Sequence, residues 1–329
     1  MENILAIRLK SIGDVIFTLP AIGRLRERFP DARITFLTSK ENAPLLQGFS
    51  DVNTVIALDR AALRSGHPGK IAREAFGLWR QLRAGQFTLA VDFQGFGETA
   101  WLARLSGAPQ RWGAVYSTGC RPYSRGVRRE DQLHPADWNL KLLAACGVSG
   151  GTARNAFTLP ADARAAALAI FKQNGLDPEQ PTLVIQPFTS TAQKNWPLEN
   201  YLMVARHWRE QGVQVIFAGG PADRLALSPA EAEQFSVAAG VPLLVSAGLV
   251  QLASLTLGGD TGLGHLAVAL GRRVIMLMMH NQPGACVPFQ HPDWVIVPPR
   301  AGYIREIPVA AVLAETSRVL KAPGCNASC

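Results

Sequence analysis

Four short segments of the sequence place charged, hydroxyl and glycine residues together in the way ligand-binding turns require. The first is Leu9-Lys10-Ser11-Ile12-Gly13-Asp14, where an apolar run ends in a glycine-containing turn and a carboxylate opens the next helical pattern. Asp14 has two readings. It can cap that helix, accepting from its first free amides, or it can act as a base that takes a proton from an acceptor hydroxyl. An unperturbed aspartate, with a pKa of about 3.9, is a weak base, so the second role depends on positioning. The second segment, Gln186-Pro187-Phe188-Thr189-Ser190-Thr191-Ala192-Gln193-Lys194-Asn195-Trp196-Pro197, supplies three hydroxyls and an ammonium ahead of a proline that suits a helix start. Thr189, Ser190 and Lys194 can grip a diphosphate, or form a polar turn whose lysine lays its stem along apolar surface.

The third segment, Gly258-Gly259-Asp260-Thr261-Gly262-Leu263-Gly264-His265, is a glycine-dense turn entering the apolar helix Leu266–Leu270. Backbone amides at such a helix start can hold a pyrophosphate while Asp260 accepts from sugar hydroxyls; a purely structural turn is the rival. His265 reads as a helix-packing histidine or as a ligand contact, and no second histidine stands at metal-ligand spacing. The fourth, Asp92-Phe93-Gln94-Gly95-Phe96-Gly97-Glu98-Thr99-Ala100, contains GxGxxA after a candidate strand. The acidic residue that a dinucleotide site wants about 20 positions further on is absent from 108–127. An acceptor-side loop is the preferred reading.

These segments need rigid supports, and the sequence provides them as short β-rich runs alternating with longer helical patterns, the signal of parallel sheets covered by helices. The fold class is α/β. Candidate strands are Ile4–Leu9, Ile34–Leu37, Thr54–Ala57, Leu89–Asp92, Leu183–Gln186, Val213–Ala218, Leu243–Val245 and Val274–Leu277. Candidate helices are Val15–Arg28, Gly69–Arg83, Trp138–Cys146, Ala161–Asn174 and Leu198–Gln211, with apolar residues at three- and four-residue spacing. A stretch rich in Gly, Ser, Thr and Asn between Gly147 and Pro160 is the expected linker. It separates residues 1–155 from 156–329 as two domains facing a cleft. A final helix, Val309–Leu320, is placed to pack back across the junction. In open α/β sheets ligands collect beyond the carboxyl ends of strands, where all four segments lie.

The 329 residues exceed one typical domain of roughly 100–150, and 48% hydrophobic, 8% aromatic and 18% charged residues make a globular profile. No run reaches the roughly 20 apolar residues of a spanning helix, and the start of the chain reads as a strand. Five cysteines without a CxxC pair argue for a reducing, cytoplasmic setting. The net charge of +8 predicts attraction to something acidic. Arg121, Arg125, Arg128 and Arg129 form either a solvated loop or an acceptor-phosphate site, and no nucleic-acid signature accompanies them.

Ser11-Ile12-Gly13-Asp14 with Thr18-Leu19-Pro20-Ala21, Thr189-Ser190 with Lys194-Asn195-Trp196-Pro197, and Asp260-Thr261-Gly262 with His265-Leu266-Ala267 together resemble the lipopolysaccharide heptosyltransferases of glycosyltransferase family nine. The motifs match in order and spacing across nearly the whole chain. The resemblance implies a GT-B architecture of two Rossmann-like domains and an inverting, metal-independent transfer with no cofactor. Asp14 is then the base and ADP-heptose the usual donor. It places Thr189, Ser190 and Lys194 on the phosphates, Asp260 on the sugar, Thr261-Gly262 on the diphosphate, His265 beside them and Asp223 near the ribose. Lys194 also joins Asp14 in the chemistry by stabilising the leaving group. Lys10, Ser11, Gly13, Asp92, Gln94, Gly95, Arg121 and Arg125 fall on the acceptor side. The acceptor the resemblance implies, which the +8 charge suits, is an acidic glycolipid met at the cytoplasmic face of the inner membrane, with the protein expected to be peripheral to it. The chain departs from the family at Met278-Met279-His280-Asn281-Gln282-Pro283-Gly284, where a Phe-Gly-Pro-Thr-like turn is common; another donor sugar therefore stays open. Two further classes are weighed: a nicotinamide-dependent oxidoreductase, resting on Gly95-Phe96-Gly97, and a nucleotide-sugar binding protein without turnover.

Overall fold

The computed structural model describes residues 2–95, 97–116, 122–300 and 302–321. The chain divides into two compact units, Met1–Thr158 and Leu159–Cys329. The first unit runs β1 (Asn3–Ile7), α1 (Ile12–Ile16), α2 (Leu19–Arg28), β2 (Arg33–Ser39), β3 (Thr54–Leu58), α3 (Arg60–Leu63), α4 (Pro68–Ala84), β4 (Leu89–Asp92), α5 (Gly97–Leu105), β5 (Gln110–Val115), β6 (Arg125–Arg128) and α6 (Pro135–Ala145). The second runs α7 (Ala161–Gln173), β7 (Thr182–Gln186), α8 (Leu198–Glu210), β8 (Gln214–Gly219), α9 (Ser228–Ala232), β9 (Ser236–Ala239), α10 (Leu243–Leu252), β10 (Leu255–Gly259), α11 (Gly262–Ala269), β11 (Val274–Leu277), β12 (Val295–Ile296) and α12 (Val309–Leu320).

Each unit carries one six-stranded sheet, ordered β3-β2-β1-β4-β5-β6 and β12-β11-β10-β7-β8-β9. Every pairing is parallel. Counted from its own first strand, the second sheet has the same order as the first, and both match the doubly wound Rossmann order. Strand order reverses between β1 and β4 in one unit and between β7 and β10 in the other. A crevice therefore opens past the carboxyl ends of those strands.

Parallel sheets are covered on both faces, so their central strands are apolar. In β1, Ile4, Leu5, Ala6 and Ile7 are all fully buried. The second sheet shows how side chains divide by alternation. Leu183, Ile185, Val215, Phe217, Leu257 and Leu277 enter one core with Trp196, Trp208 and Ile304. Val184, Ile216, Ala218 and Val274 enter the opposite core with Phe171, Leu249 and Ala267. Helix α12 belongs to the first of these cores. Val312 and Leu320 are buried there, and Thr316 Oγ1 accepts from the Trp208 indole at 3.0 Å. Its packing completes the second unit's own core.

Several sequence expectations are revised. Leu243–Val245, expected as a strand, opens helix α10; Pro242 sits at its N-cap, and a short apolar run has the same composition in a buried helix as in a buried strand. The expected helix Val15–Arg28 is two helices, broken at Phe17-Thr18 ahead of Pro20. Proline has no amide to donate, so it starts α2 readily and continues α1 poorly. Gly258 and Gly259, read as turn residues, end strand β10. Arg125–Arg128, read as loop, is edge strand β6, while Arg121 lies outside the described residues.

Candidate functional site

In the first unit, the loops after β1 and β4 meet at the order reversal. Asp14 lies in the first turn of α1, with Ser11 at the N-cap. Its Oδ2 accepts from the Ser11 amide at 3.0 Å and the Ser11 hydroxyl at 3.1 Å. Its Oδ1 faces Arg8 Nη2 at 2.7 Å. Burial alone would raise the Asp14 pKa; the Arg8 guanidinium and the Ser11 donors outweigh it and hold the carboxyl below its ordinary value. Asp14 is therefore ionised at neutral pH and fixed in orientation by three donors. Arg8 is itself pinned, donating Nε to the Lys10 carbonyl at 3.0 Å and Nη1 to the Phe93 carbonyl at 2.8 Å. The Lys10 side chain is exposed and Gly13 is buried beneath the turn.

Asp92 and Gln94 lock the second loop to the first. Asp92 is fully buried; its Oδ1 accepts from the amides of Gln94 at 2.8 Å and Gly95 at 3.1 Å, and its Oδ2 from the Tyr123 hydroxyl at 2.5 Å. Burial raises its pKa, against the pull of these donors. Gln94 Oε1 then accepts from the Leu9 amide at 3.0 Å and the Lys10 amide at 3.3 Å. The Asp-x-Gln-Gly element thus acts as a brace. Gly95 has φ +76°, and a β-carbon there would stand 2.4 Å from the Ala114 carbonyl oxygen. That close approach explains the glycine without a dinucleotide.

The arginines separate. Arg125 begins edge strand β6, level with Trp112 within β5 and away from the carboxyl end of the sheet, and bears on Cys146, whose thiol is pushed up to about 11 by burial against the pull of Arg125. It does not join the loops around Asp14. Arg129, just past the carboxyl end of β6, does: its pKa is lowered by burial and by the positive charge of Arg8, with Tyr116, Asp131 and Asp14 acting the other way. Arg8 is not singled out by the sequence reading, and Arg129 enters it only as one of four arginines weighed as an acceptor-phosphate site. Arg8 could have been found as the first charged position after the buried run of β1. Arg129 needed the register of β6.

In the second unit, the loops after β7 and β10 meet at the matching reversal. Lys194 Nζ donates to Asp260 Oδ2 at 2.8 Å, and His265 Nε2 lies 3.1 Å from Asp260 Oδ1. Burial would raise the Asp260 carboxyl, but His265 and Lys194 together bring it down to about 2. The hydrogen bond to Asp260 in turn raises the Lys194 pKa, partial burial opposing it. Thr261 is the N-cap of α11, its hydroxyl accepting from the Gly264 amide at 3.2 Å and donating to Gln186 Oε1 at 2.7 Å. This fastens α11 to β7. The amides of Gly262 and Leu263 at the first turn have no carbonyl four residues back within the helix, which is the condition for anion binding.

Thr189 is oriented by Asn195 Oδ1, which accepts from its amide at 2.8 Å, and by its own hydroxyl, which donates to the Thr191 carbonyl at 2.9 Å. Ser190 beside it is exposed. Asp223 follows β8, next to β7 in the sheet, and accepts from the Gly220 amide at 2.7 Å. It stands apart from the Lys194–Asp260–His265 group in its hydrogen bonding. Beside Lys194 and Asp260 lies a cavity of about 210 Å³ walled by Leu277, Met278, Met279, Cys286 and Ile304. The turn that departs from the family pattern is therefore part of this wall. Among the described residues no three His, Cys, Asp or Glu side chains are grouped to hold a metal ion.

Comparison with known proteins agrees with this architecture. Lipopolysaccharide core heptosyltransferase OpsX of Haemophilus influenzae is 23% identical over 311 residues, covering 90% of this chain and 84% of its own. Lipopolysaccharide heptosyltransferase 1 of Pseudomonas aeruginosa is 27% identical over 298 residues, covering 86% and 80%. In fold, the chain is similar to Escherichia coli ADP-heptose LPS heptosyltransferase II, with a TM-score of 0.81 at 20% identity over 98% of this chain and 99% of that one. It is also similar to E. coli heptosyltransferase WaaC with ADP-2-deoxy-2-fluoro heptose, with a TM-score of 0.76 at 21% identity over 96% and 99%. The model of glycosyltransferase family 9 (heptosyltransferase) matches residues 75–300, well over half the sequence, so the chain belongs to that family and is a glycosyltransferase.

Proposed function

We propose that the protein transfers heptose from ADP-heptose to an acidic lipopolysaccharide core-type acceptor with inversion, using Asp14 as general base and no metal. The reading rests above all on the two strand-order reversals. One carries an ionised, three-donor carboxylate, and the other carries a cation beside a capped helix start. In this reading the first unit takes the acceptor and the second the donor. Asp14 accepts the acceptor hydroxyl proton as that oxygen bonds to the anomeric carbon. The bond from that carbon to the diphosphate breaks, and its electron pair leaves with ADP. Its low basicity makes Asp14 a positioner of the hydroxyl as much as a proton sink. Lys194 and the α11 amides face the charge that grows on the leaving oxygen, and Thr189 and Ser190 add hydroxyl donors. Preorganised donors of this kind are each worth about 3 kcal/mol. Asp260 and His265 hold Lys194 and meet sugar hydroxyls, while Asp223 is assigned to the ribose. Lys10, Arg8 and Arg129 supply positive charge for an anionic acceptor, and the enzyme works at the cytoplasmic membrane surface.

Support comes from family membership, from relatives named as lipopolysaccharide heptosyltransferases, and from the likeness to WaaC structures with ADP and ADP-2-deoxy-2-fluoro heptose. A second reading keeps the mechanism but changes the donor sugar, because Met278 and Met279 from the departing turn wall the cavity beside Asp260. The test is ADP release from ADP-heptose with and without an acidic Kdo-bearing lipid acceptor, alongside Asp14→Ala. Acceptor-dependent release that disappears in the variant is expected. Full turnover in folded Asp14→Ala removes the base assignment, and ADP binding without release from ADP-heptose favours the second reading.

A further inference from the structure

Helices α4 and α5 of the first unit leave large apolar side chains in solvent. Phe76 is 61% exposed, Trp79 46%, Trp101 62% and Leu105 45%. On α4, Leu78 and Leu82 face the core. Ala72, Phe76, Trp79 and Arg83, spaced i, i+4, i+7 and i+11, form a stripe on the outward side. Phe76 and Trp79 pack on each other, ring centroids 5.6 Å apart. The two helices are neighbours, for the Arg83 guanidinium lies where a β-carbon on Gly107 would stand, just past the end of α5.

Charge on the outward side of these helices is mostly positive: Glu98, in the first turn of α5, is paired with Arg60 at 3.1 Å. Lys70, Arg73, Arg80 and Arg83 are exposed on α4 and Arg104 on α5, and none of them enters an ion pair among the described residues. The acidic residue of α4, Glu74, turns inward to accept from the Asp59 amide. Aromatics among unpaired cations fit the headgroup region of an anionic bilayer, where indole rings settle and each cation adds attraction. No helix of the described residues is long and apolar enough to cross a membrane.

We infer that the outward face of α4 and α5 is the surface by which this protein docks on an anionic membrane. The inference rests on the reading of the acceptor as a membrane lipid and names the face that meets it. Position supports it: α5 begins two residues after Gly95, the end of the loop braced to Lys10, and Trp101 stands about 6 Å further along the helix. A lipid acceptor whose sugars reach that loop keeps its acyl chains on the side where these rings enter.

The experiment is co-sedimentation of the whole protein with phosphatidylcholine vesicles, with and without phosphatidylglycerol, at low and high salt. Wild type should bind only the anionic vesicles, and more weakly in salt. Arg73→Gln with Arg80→Gln should weaken binding roughly 25-fold, and Phe76→Ser with Trp79→Ser and Trp101→Ser by about tenfold or more. Both variants should keep ADP affinity, and Leu225→Ser, which alters an 85% exposed residue of the second unit, should bind like wild type. Wild type that ignores anionic vesicles overturns the membrane reading along with this surface. Wild-type binding that both patch variants retain in full overturns the surface alone. Patch variants that change the solution mass but not vesicle binding give the face to a second copy of the chain and overturn the proposal.

Discussion

Asp260→Asn isolates the electrostatics of the second unit's site. The Asp260 side chain is 19% exposed and has Lys194 Nζ at 2.8 Å and His265 Nε2 at 3.1 Å. Its carboxyl falls from 3.8 to about 2 on folding, which corresponds to about 2 kcal/mol in favour of the folded, ionised form. Because the folded pKa is the lower one, this contribution is complete above the unfolded value and is lost as pH falls through the folded value. It is intact at pH 7, nearly intact at pH 4, about halved near pH 3 and largely gone at pH 2. Asparagine keeps the shape without the charge. The variant should therefore unfold about 2 kcal/mol more easily at pH 7, a drop of about 1 M in the urea midpoint. The gap to wild type should close steadily below pH 4. Comparing the two proteins cancels the titrating groups that do not contact Asp260. A gap that is absent at pH 7, or that stays constant down to pH 3, would refute the reasoning.

Lys194→Ala should lower kcat for ADP release by about 10²- to 10³-fold with a smaller loss of ADP affinity by calorimetry; an affinity loss that accounts for the whole effect would make Lys194 a binding residue only. Arg8→Met removes the strongest influence holding the Asp14 carboxyl down, so the acidic limb of the pH–rate profile should move to higher pH, and an unmoved limb would detach Asp14 from that limb. Gly95→Ala forces a β-carbon to 2.4 Å from the Ala114 carbonyl at φ +76°; strain and overpacking together should cost about 2–5 kcal/mol in urea unfolding, whereas Gly97→Ala, with open space around it, should be near neutral.

Strands β1, β2, β4, β7, β8 and β11 are legible in the sequence because a strand buried on both faces is a largely apolar run, and β3 is legible as a short β-rich run. Others are hidden by glycines that sheet packing requires. Gly113 in β5 lies against the Tyr123 ring, 2.3 Å from where its β-carbon would be. In β10, β-carbons would come within 2.7 Å of the Gln186 carbonyl at Gly258 and 2.6 Å of Thr189 Cγ2 at Gly259. Such residues look like turn formers until the neighbouring strand is known. The same distinction holds for the site. Asp14, Lys194, Asp260 and His265 are visible because they lie in the loop-to-helix segments that follow β1, β7 and β10. Arg8 and Arg129 are brought together by parallel register across β1, β4, β5 and β6, which local sequence does not encode. Arg125 shows the converse, since its nearness in sequence to Arg129 leaves it at the start of edge strand β6 beside Cys146.

Two tryptophans fasten the end of the described chain into the second unit. The Trp196 indole donates to the Ile307 carbonyl at 3.0 Å, 111 residues away, and the Trp208 indole to Thr316, 108 residues away. During synthesis, both rings leave the ribosome long before the segment that covers them. For that interval the nascent second unit presents two of its three tryptophans to chaperones and to other chains. The first unit, whose strands all precede residue 159, has no such wait. Release of the last helix, rather than collapse of the sheet, is the step that ends the vulnerable period, and slow decoding or premature termination near residue 309 would prolong it.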